Sequence, residues 1–182
     1  MGFYDESGVS EKPTVRRTWA LRGQTPVIAS TGSWKNLALM AAITCAPTGR
    51  SPELFLKSIP GTVHAREVVS YLRDFKRHVH GKRILLFWDG LMAHRAKIVK
   101  TFLRENGSWL RTVRLPAYAP ELNPPEYLWS AMKTKYLANL RPEGLVAVRK
   151  AVRRGACRIK KEPDLLVGFL KASKLFCCRY ST

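Results

Sequence analysis

The stretch Ile84-Leu85-Leu86-Phe87-Trp88-Asp89-Gly90 decides how this chain folds. Five apolar residues in succession are typical of a short strand that is buried in a parallel sheet. The run stops at an aspartate followed by a glycine, a pair that favours a turn. We therefore predict a buried strand that ends at a carboxylate, in a chain whose 182 residues suit one domain of ordinary size.

Helical periodicity flanks this strand on both sides. Before it, four apolar residues recur at the spacing of one helical face: Val68, Leu72, Phe75 and Val79. After it, segment 98–103 repeats the i, i+4 pairing of apolar residues and predicts a second helix. Residues 110–115 then predict another strand, and a helix is expected from Asn123 to about residue 138.

Three further strands are predicted upstream. Segment 36–46 is apolar on both alternating faces, which suits a central strand. Residues 54–56 alternate apolar and polar and predict an antiparallel return strand. Residues 3–5 indicate the stub of a strand that we expect to end in Asp5-Glu6-Ser7-Gly8. Segment 10–35 carries Pro, Gly and Arg and predicts a long loop.

The predicted order is β, β, β, α, β, α, β, α. Antiparallel strands followed by alternating units imply a mixed sheet with helices on its faces, and this is the order of the ribonuclease H-like fold. We predict an α/β protein with a ribonuclease H-like mixed five-stranded sheet flanked by helices over residues 1–140, with the first strand clipped. Apolar helical stripes in 145–170 predict a basic helical C-terminal extension over residues 141–182.

The charge of the chain indicates a polyanionic partner. Its 32 Lys and Arg residues against 13 Asp and Glu residues give a net charge of +19, and such an excess favours nucleic acid or acidic lipid as the partner. The cations are spread along the chain instead of along one amphipathic helix, which favours nucleic acid. Because no apolar run approaches the roughly 20 residues of a membrane span, we expect no membrane partner.

The cysteines and the amino-terminal residues indicate a reducing compartment. Neither disulfide-framework spacing nor a C-x-x-C element is found among the four cysteines, Cys45, Cys157, Cys177 and Cys178. The histidines do not complete a zinc site at useful spacing. Residues 1–5 lack the basic start and apolar stretch of a signal peptide. We expect free thiols and a cytoplasmic, bacterial protein associated with the nucleoid.

Three carboxylates stand at structurally unusual positions. Asp5 follows Phe3-Tyr4 at the predicted strand end, Asp89 follows the apolar run, and Glu126 lies in the first turn of a helix opened by Asn123-Pro124-Pro125. Taken singly, each has a structural explanation. The two aspartates suit turns, and Glu126 can complete a capping box with Asn123.

The three carboxylates together predict a metal site. In the predicted sheet the first and fourth strands are neighbours, so Asp5 and Asp89 should lie side by side, and the following helix can bring Glu126 beside them. Three adjacent carboxylates resist ionising together. Two Mg²⁺ ions roughly 3.5–4 Å apart remove that penalty and can activate water and stabilise a leaving phosphodiester oxygen. We therefore predict a phosphoryl-transfer enzyme that acts on nucleic acid.

Three segments resemble the signature blocks of DDE transposases, and most closely those of the mariner-like superfamily, which includes many bacterial insertion-sequence enzymes. The segments are Phe3-Tyr4-Asp5-Glu6-Ser7-Gly8, Leu86-Phe87-Trp88-Asp89-Gly90 and Leu115-Pro116-Ala117-Tyr118-Ala119-Pro120-Glu121-Leu122-Asn123-Pro124-Pro125-Glu126-Tyr127-Leu128-Trp129. The third block of the family reads as tyrosine, small, proline, acid, leucine, asparagine, proline, apolar and acid, with a tryptophan soon after. This chain matches nearly every position of it.

Spacing and a further segment extend the resemblance over roughly residues 3–140. Thirty-six residues separate Asp89 from Glu126, close to the spacing in the family. Arg17-Thr18-Trp19-Ala20 and Arg22-Gly23-Gln24-Thr25-Pro26 also resemble the stretch that follows the first aspartate in bacterial members.

The resemblance implies roles for particular residues. Asp5, Asp89 and Glu126 match the catalytic, metal-binding triad, which would hold two Mg²⁺ ions, with Mn²⁺ able to substitute. Glu6 and Glu121 match acids beside the catalytic ones and are not expected to be ligands.

Two other side chains keep alternative interpretations. His94 matches a recurrent family position, where it would touch the scissile phosphate or order the site; a helix-start hydrogen bond is the alternative. Trp129 is expected in the core and not as a platform for base stacking. A further set of basic residues is expected to contact DNA: Arg16, Arg17, Arg22, Arg95, Lys133, Arg153 and Arg154.

The activity that the resemblance implies is cut-and-paste DNA transposition. Metal-assisted hydrolysis at a transposon end would free a 3′-hydroxyl, which then attacks target DNA in line. The expected partner is double-stranded DNA, and synapsis of two ends implies a dimer. Two alternatives stay open: a ribonuclease H-like nuclease without strand transfer, and an inactive remnant that only binds DNA.

Relatives carry helix-turn-helix domains ahead of the first aspartate, whereas this chain begins almost at Asp5. We therefore expect recognition of transposon ends to reside elsewhere, as in an upstream-encoded helix-turn-helix half. A split-frame product, a gene fragment and a mis-called start are the alternatives.

Overall fold

The computed structural model describes residues 1–12, 14–24, 27, 35–117 and 119–175. Five residues named above lie outside the described ranges: Thr25, Pro26, Tyr118, Cys177 and Cys178. Within those ranges, every helix is too short or too polar to span a bilayer.

The centre of the molecule is a mixed sheet of five strands. Its strands are β1 (Gly2–Ser10), β2 (Asn36–Thr44), β3 (Glu53–Pro60), β4 (Ile84–Trp88) and β5 (Leu110–Arg114). The order across the sheet is β3-β2-β1-β4-β5. The first three strands pair antiparallel, whereas β4 pairs parallel to both β1 and β5. The predicted mixed five-stranded sheet is confirmed.

Helices cover both faces of this sheet. They are α1 (Ala65–His78), α2 (Lys97–Glu105), α3 (Pro124–Ala131), α4 (Leu145–Lys160) and α5 (Pro163–Ala172). A 3₁₀ turn at Met92–Arg95 precedes α2, and another at Pro120–Leu122 precedes α3. A π-helical segment, Met132–Tyr136, continues α3, so the predicted helix to about residue 138 is confirmed in extent.

Two hydrophobic cores lie on the two sides of the sheet, because successive side chains of a strand point to opposite faces. Phe3 packs with α3, α4 and α5 on one face. Tyr4, its neighbour in β1, packs with α1 and α2 on the other face. The same alternation places Asp5 on the α3 face and Glu6 on the α1 face.

The carboxyl-terminal helices complete the first of these cores. Apolar residues of α4 and α5 pack there with Phe3 and Leu37: Val148, Val152, Ile159, Leu166 and Leu170. The polar positions of α4 are exposed and carry the basic residues. The sequence therefore becomes more basic after residue 140, but residues on both sides of this position belong to the same hydrophobic core.

The prediction that β1 ends at Asp5 is wrong. The strand continues for nine residues, and it pairs with β2 from Gly2 opposite Thr44 to Ser10 opposite Asn36. Its pairing with β4 covers only Gly2 and Phe3. Beyond Asp5 the strand is therefore bordered on one side only and is half-exposed, so the polar residues that suggested a turn are tolerated in an extended ladder.

Candidate metal and catalytic site

Asp5 lies in β1, and Asp89 directly follows the last residue of the neighbouring strand β4. The parallel pairing sets Gly2 opposite Leu86 and Phe3 opposite Phe87. Continuing this register by two residues sets Asp5 beside Asp89, which follows the last residue of β4. The backbone N–H of Leu115 donates to the carbonyl of Trp88 at 2.8 Å, which holds the end of β4 against β5.

Helix α3 packs on β1 and brings Glu126 toward Asp5. The indole Nε1 of Trp129 donates a hydrogen bond to Asp5 Oδ2 at 2.8 Å. Since residues three apart share one face of a helix, Glu126 lies one turn before Trp129 on that same face. Trp129 is a core residue as predicted, 3% exposed, and it also fixes the carboxylate of Asp5.

The capping-box explanation of Glu126 does not describe this helix. Asn123 is the N-cap residue and Pro124 the first helical residue, as predicted, but neither cap side chain makes a capping hydrogen bond. Only the backbone N–H of Glu126 bonds to the carbonyl of Asn123, at 3.0 Å. The Glu126 side chain is therefore exposed at the start of α3 and available for another role.

The pKa of Asp5 is raised by burial and by the charges of neighbouring acids. Asp5 is 6% exposed. Burial raises its pKa to about 7, the hydrogen bond from Trp129 opposes this rise, and the charges of Glu126, Glu6 and Asp89 add to it. Within the described residues no cationic side chain forms an ion pair with Asp5. A buried acid among oxygen donors only is the donor set that Mg²⁺ prefers.

Asp89 is held from two directions. Its Oδ1 accepts the backbone N–H of Leu91 at 2.9 Å and lies 3.1 Å from His94 Nδ1. The bond to His94 lowers the pKa of Asp89, partial burial opposes this, and the Leu91 bond and the charge of Arg114 lower it further. These contacts therefore favour the ionised form of Asp89, whereas burial favours the protonated form of Asp5.

His94 bridges two acids instead of starting a helix. Its Nδ1 faces Asp89, and its Nε2 lies 2.8 Å from Glu6 Oε1. Burial by itself would lower the pKa of His94, but the bonds to Asp89 and Glu6 raise it to about 9. Contact between His94 and a scissile phosphate stays a prediction. A role of this bridge in ordering a catalytic site also stays a prediction.

Sequence reasoning missed Glu6 and Arg114. Ligand atoms of Glu6, Asp89 and His94 lie within 4.8 Å of one another, although Glu6 was set aside as a neighbour of Asp5. Arg114, at the end of β5, places its guanidinium against Gly90, where any Cβ would collide with it. The Asp89-Gly90 pair was a signal for this close approach, but its partner on β5 is visible only in the fold.

The residues predicted to bind DNA are spread over several surfaces. Arg16, Arg17 and Arg22 are exposed in the segment after β1. Arg95 is exposed in the same 3₁₀ turn as His94, whereas Lys133 is half-buried. Of these predicted DNA-binding residues, Arg95 is the one that lies in the turn that carries His94.

Arg153 and Arg154 lie on the exposed side of α4. They line a groove of about 600 Å³, and the described residues that line it include five cations and no carboxylate. The other three cations of this groove, called here the α4 groove, are Arg141, Lys150 and Arg158. Cys157 opens onto the same groove and is a free thiol, as predicted for it and for buried Cys45.

The strand order β3-β2-β1-β4-β5, with helices on both faces of the sheet, is that of a ribonuclease H-like domain. The sequence pattern of the DDE superfamily endonucleases matches residues 1–145, and the chain belongs to this family.

Relatives and solved structures agree with this assignment. The chain is 26% identical over 154 residues to the insertion element IS630 uncharacterized 39 kDa protein of Shigella sonnei, covering 83% of this chain and 43% of that relative. The chain thus spans less than half the length of this relative.

The fold is that of the mariner transposase Mos1. A Mos1 paired-end complex with Mg superposes with a TM-score of 0.66 at 17% identity, over 95% of this chain and 53% of the other. The isolated catalytic domain of Mos1 superposes with a TM-score of 0.54 at 17% identity, over 94% and 81%. The likeness confirms the predicted ribonuclease H-like fold.

Proposed function

We propose that this chain is the catalytic domain of a cut-and-paste DNA transposase, with Asp5, Asp89 and Glu126 as its metal-binding catalytic acids. The observation that carries the proposal is the meeting of three elements at one sheet edge. The register of β1 and β4, which sets Gly2 opposite Leu86 and Phe3 opposite Phe87, directs Asp5 toward Asp89, and Trp129 ties Asp5 to the helix that bears Glu126. Membership of the DDE endonuclease family supports the same assignment.

The donor set fits two Mg²⁺ ions, with Mn²⁺ as a substitute. Paired-end complexes of Mos1 with Mg and with Mn support the same choice here. Such ions supply activation of the attacking hydroxyl and neutralisation of the leaving oxygen. The raised pKa of Asp5 is the second support, since a nearby divalent cation would return it to the ionised form.

The protein's own groups orient the reaction. Trp129 holds the carboxylate of Asp5 by its indole N–H, and the backbone N–H of Leu91 holds Asp89. Glu126 remains exposed where a DNA strand can approach. Placement of substrate and acids in this way is the main contribution of a phosphoryl-transfer enzyme.

Residues 1–140 would supply the acids, and residues 141–182 the basic helices that hold DNA phosphates. Relatives in synaptic complexes with DNA support double-stranded transposon ends and target DNA as the partner. Joining two ends implies a dimer, and reading the transposon ends implies a helix-turn-helix partner. A protein bound to DNA in this way would be found at the bacterial nucleoid.

Cleavage of DNA by the purified chain tests this function. Supercoiled plasmid and labelled duplexes are incubated with Mg²⁺, with Mn²⁺ and with EDTA. We expect metal-dependent nicking and joined strand-transfer products. Nicking of RNA–DNA hybrid without joined products would favour a ribonuclease H-like nuclease. DNA retention without any cleavage would favour an inactive DNA-binding remnant.

The α4 groove is expected to hold DNA phosphates without reading sequence. Replacing Lys150, Arg153 and Arg154 with glutamine should make the plot of log binding constant against log salt concentration less steep. The magnitude of its slope should fall by about 3, because each lost phosphate contact removes about one released counterion. Fluorescence anisotropy with a labelled duplex at several salt concentrations measures this slope.

A matched variant separates the groove from the total charge. Replacing Arg66, Arg73 and Lys100 with glutamine removes the same charge from exposed positions of α1 and α2, on the opposite face of the sheet. We expect this variant to keep a slope close to that of the wild type. Equal losses in the two variants would contradict a localised groove.

A further inference from the structure

Glu6, His94 and Asp89 form a continuous bridge across the end of the sheet. His94 Nε2 lies 2.8 Å from Glu6 Oε1, and His94 Nδ1 lies 3.1 Å from Asp89 Oδ1. The two acids are 83 positions apart in the chain, but the 3₁₀ turn after β4 places the imidazole between them. One ring therefore connects β1 to the loop that follows β4.

The three side chains are joined as a hydrogen-bonded bridge, although their ligand atoms also lie close enough together to hold a cation. The two acids contact different nitrogens of the ring, which lie on opposite sides of the imidazole. A single cation cannot take the place of both contacts, because the two ring nitrogens point away from each other. Glu6 also leaves β1 on the face opposite Asp5, since the two residues are adjacent in a strand. Glu6 thus stands behind the acidic site instead of inside it.

The imidazole has little freedom to move. It is 3% exposed at the side chain and stacks on Trp88, with ring centroids 4.2 Å apart and planes within 5°. The ring of Tyr4 contacts it as well, at 5.7 Å between centroids. Stacking fixes the plane of the imidazole, and the contact with Glu6 fixes its orientation within that plane. Packing and hydrogen bonding together therefore hold the ring in place.

The held ring determines which oxygen of Asp89 is available. Oδ1 already receives the Leu91 N–H and faces His94. Within the described residues Oδ2 receives no hydrogen bond, so it is the oxygen free to face Asp5 and Glu126. Loss of the bridge would let the Asp89 carboxylate rotate, so that Oδ1 and Oδ2 could exchange positions.

We propose that Glu6 is a positioning residue that acts through His94 to orient the Asp89 carboxylate for metal binding, a role that rests on the proposed function. Partners that orient a metal ligand typically affect affinity 10- to 100-fold when they are removed. Glu6 therefore matters for the metal without contacting it.

The proposal is tested by measuring the Mn²⁺ affinity of the full chain by titration calorimetry. We expect Glu6→Ala to weaken Mn²⁺ binding about 10- to 100-fold. Glu6→Gln should stay within about threefold of wild type, because the glutamine amide can either accept from or donate to the ring nitrogen. Thermal unfolding of both variants verifies that each is folded.

Glu53→Ala is the matched control. Glu53, on edge strand β3, lies 3.6 Å from His78 at the end of α1, and the two form a second Glu–His pair remote from the acidic site. Its removal should leave Mn²⁺ affinity unchanged. An effect as large as that of Glu6→Ala would show a general loss of stability and overturn the proposal.

Each remaining outcome decides the question. Equal Mn²⁺ affinity in Glu6→Ala and wild type overturns the positioning role and leaves the proposed function standing. Equal weakening in Glu6→Gln and Glu6→Ala also overturns it, since the charge and not the hydrogen bond would then be required. A wild-type chain that binds no Mn²⁺ overturns the proposed function and this role together.

Discussion

Replacing Asp89 with alanine is expected to abolish Mg²⁺-dependent DNA cleavage, with a loss of at least about 10³-fold. Asp89 is the acid that the structure keeps ionised, through His94 and the backbone of Leu91. Its removal takes away a ligand and leaves the His94 ring facing an empty position. DNA affinity should be retained, because binding depends on basic surfaces remote from this carboxylate.

Nicking of supercoiled plasmid and retention of a labelled duplex measure the two effects separately. Asp164→Ala is the control, since Asp164 is an exposed acid in the first turn of α5. It should cleave like the wild type. Unchanged nicking in Asp89→Ala would remove Asp89 from the mechanism.

Replacing Asp5 with asparagine is expected to stabilise the metal-free protein at pH 8. The folded pKa of Asp5 is about 7, against 3.8 for the ordinary group. Folding therefore favours the protonated acid, so the stability of the wild type falls as pH rises from about 4 to about 7 and is level above that. The full shift corresponds to about 4 kcal/mol.

Asparagine stays neutral and can still accept the hydrogen bond of Trp129. We expect Asp5→Asn to gain about 2–4 kcal/mol of unfolding free energy at pH 8 in EDTA, or about 5–15 °C in Tm. At pH 4 the two proteins should be nearly equal. Scanning calorimetry at both pH values measures the difference, and a variant less stable than wild type at pH 8 would contradict the burial of a charged Asp5.

The same substitution should remove the response to metal. A ligand that binds only the folded state at 100 times its Kd adds about 2.7 kcal/mol, so Mn²⁺ should raise the Tm of the wild type at pH 8. Asp5→Asn should show little or no such rise. The metal-free wild type is thus less stable because it keeps the Asp5 carboxylate buried as a metal ligand.

Local patterns in the sequence were sufficient to locate most of the strands. The apolar run 84–88 and the alternating segment 54–56 were found as β4 and β3, because burial on one or both faces leaves a period that does not depend on distant contacts. The polar residues after Asp5 misled the prediction of β1. Their extended form is imposed by pairing with β2, which no local pattern shows.

Contacts between distant residues could not be predicted in the same way. Trp129 was placed in the core, but its bond to Asp5 joins residues 124 apart in the chain. Glu6 was set aside although His94, 88 positions away, contacts it. The sequence could propose the acids, whereas the partners that hold them depend on the packing of complete helices and turns.

The Mn²⁺ affinity of Glu126→Gln tests the central claim most directly. Glu126 is the exposed member of the three acids, and only its position on α3 and its charge effect on Asp5 connect it to the others. Calorimetric titration at pH 8 compares this variant with wild type and with Glu121→Gln, an exposed acid five residues earlier. We predict loss of measurable Mn²⁺ binding in Glu126→Gln and wild-type binding in Glu121→Gln. Wild-type Mn²⁺ affinity in Glu126→Gln would contradict a shared site of the three carboxylates.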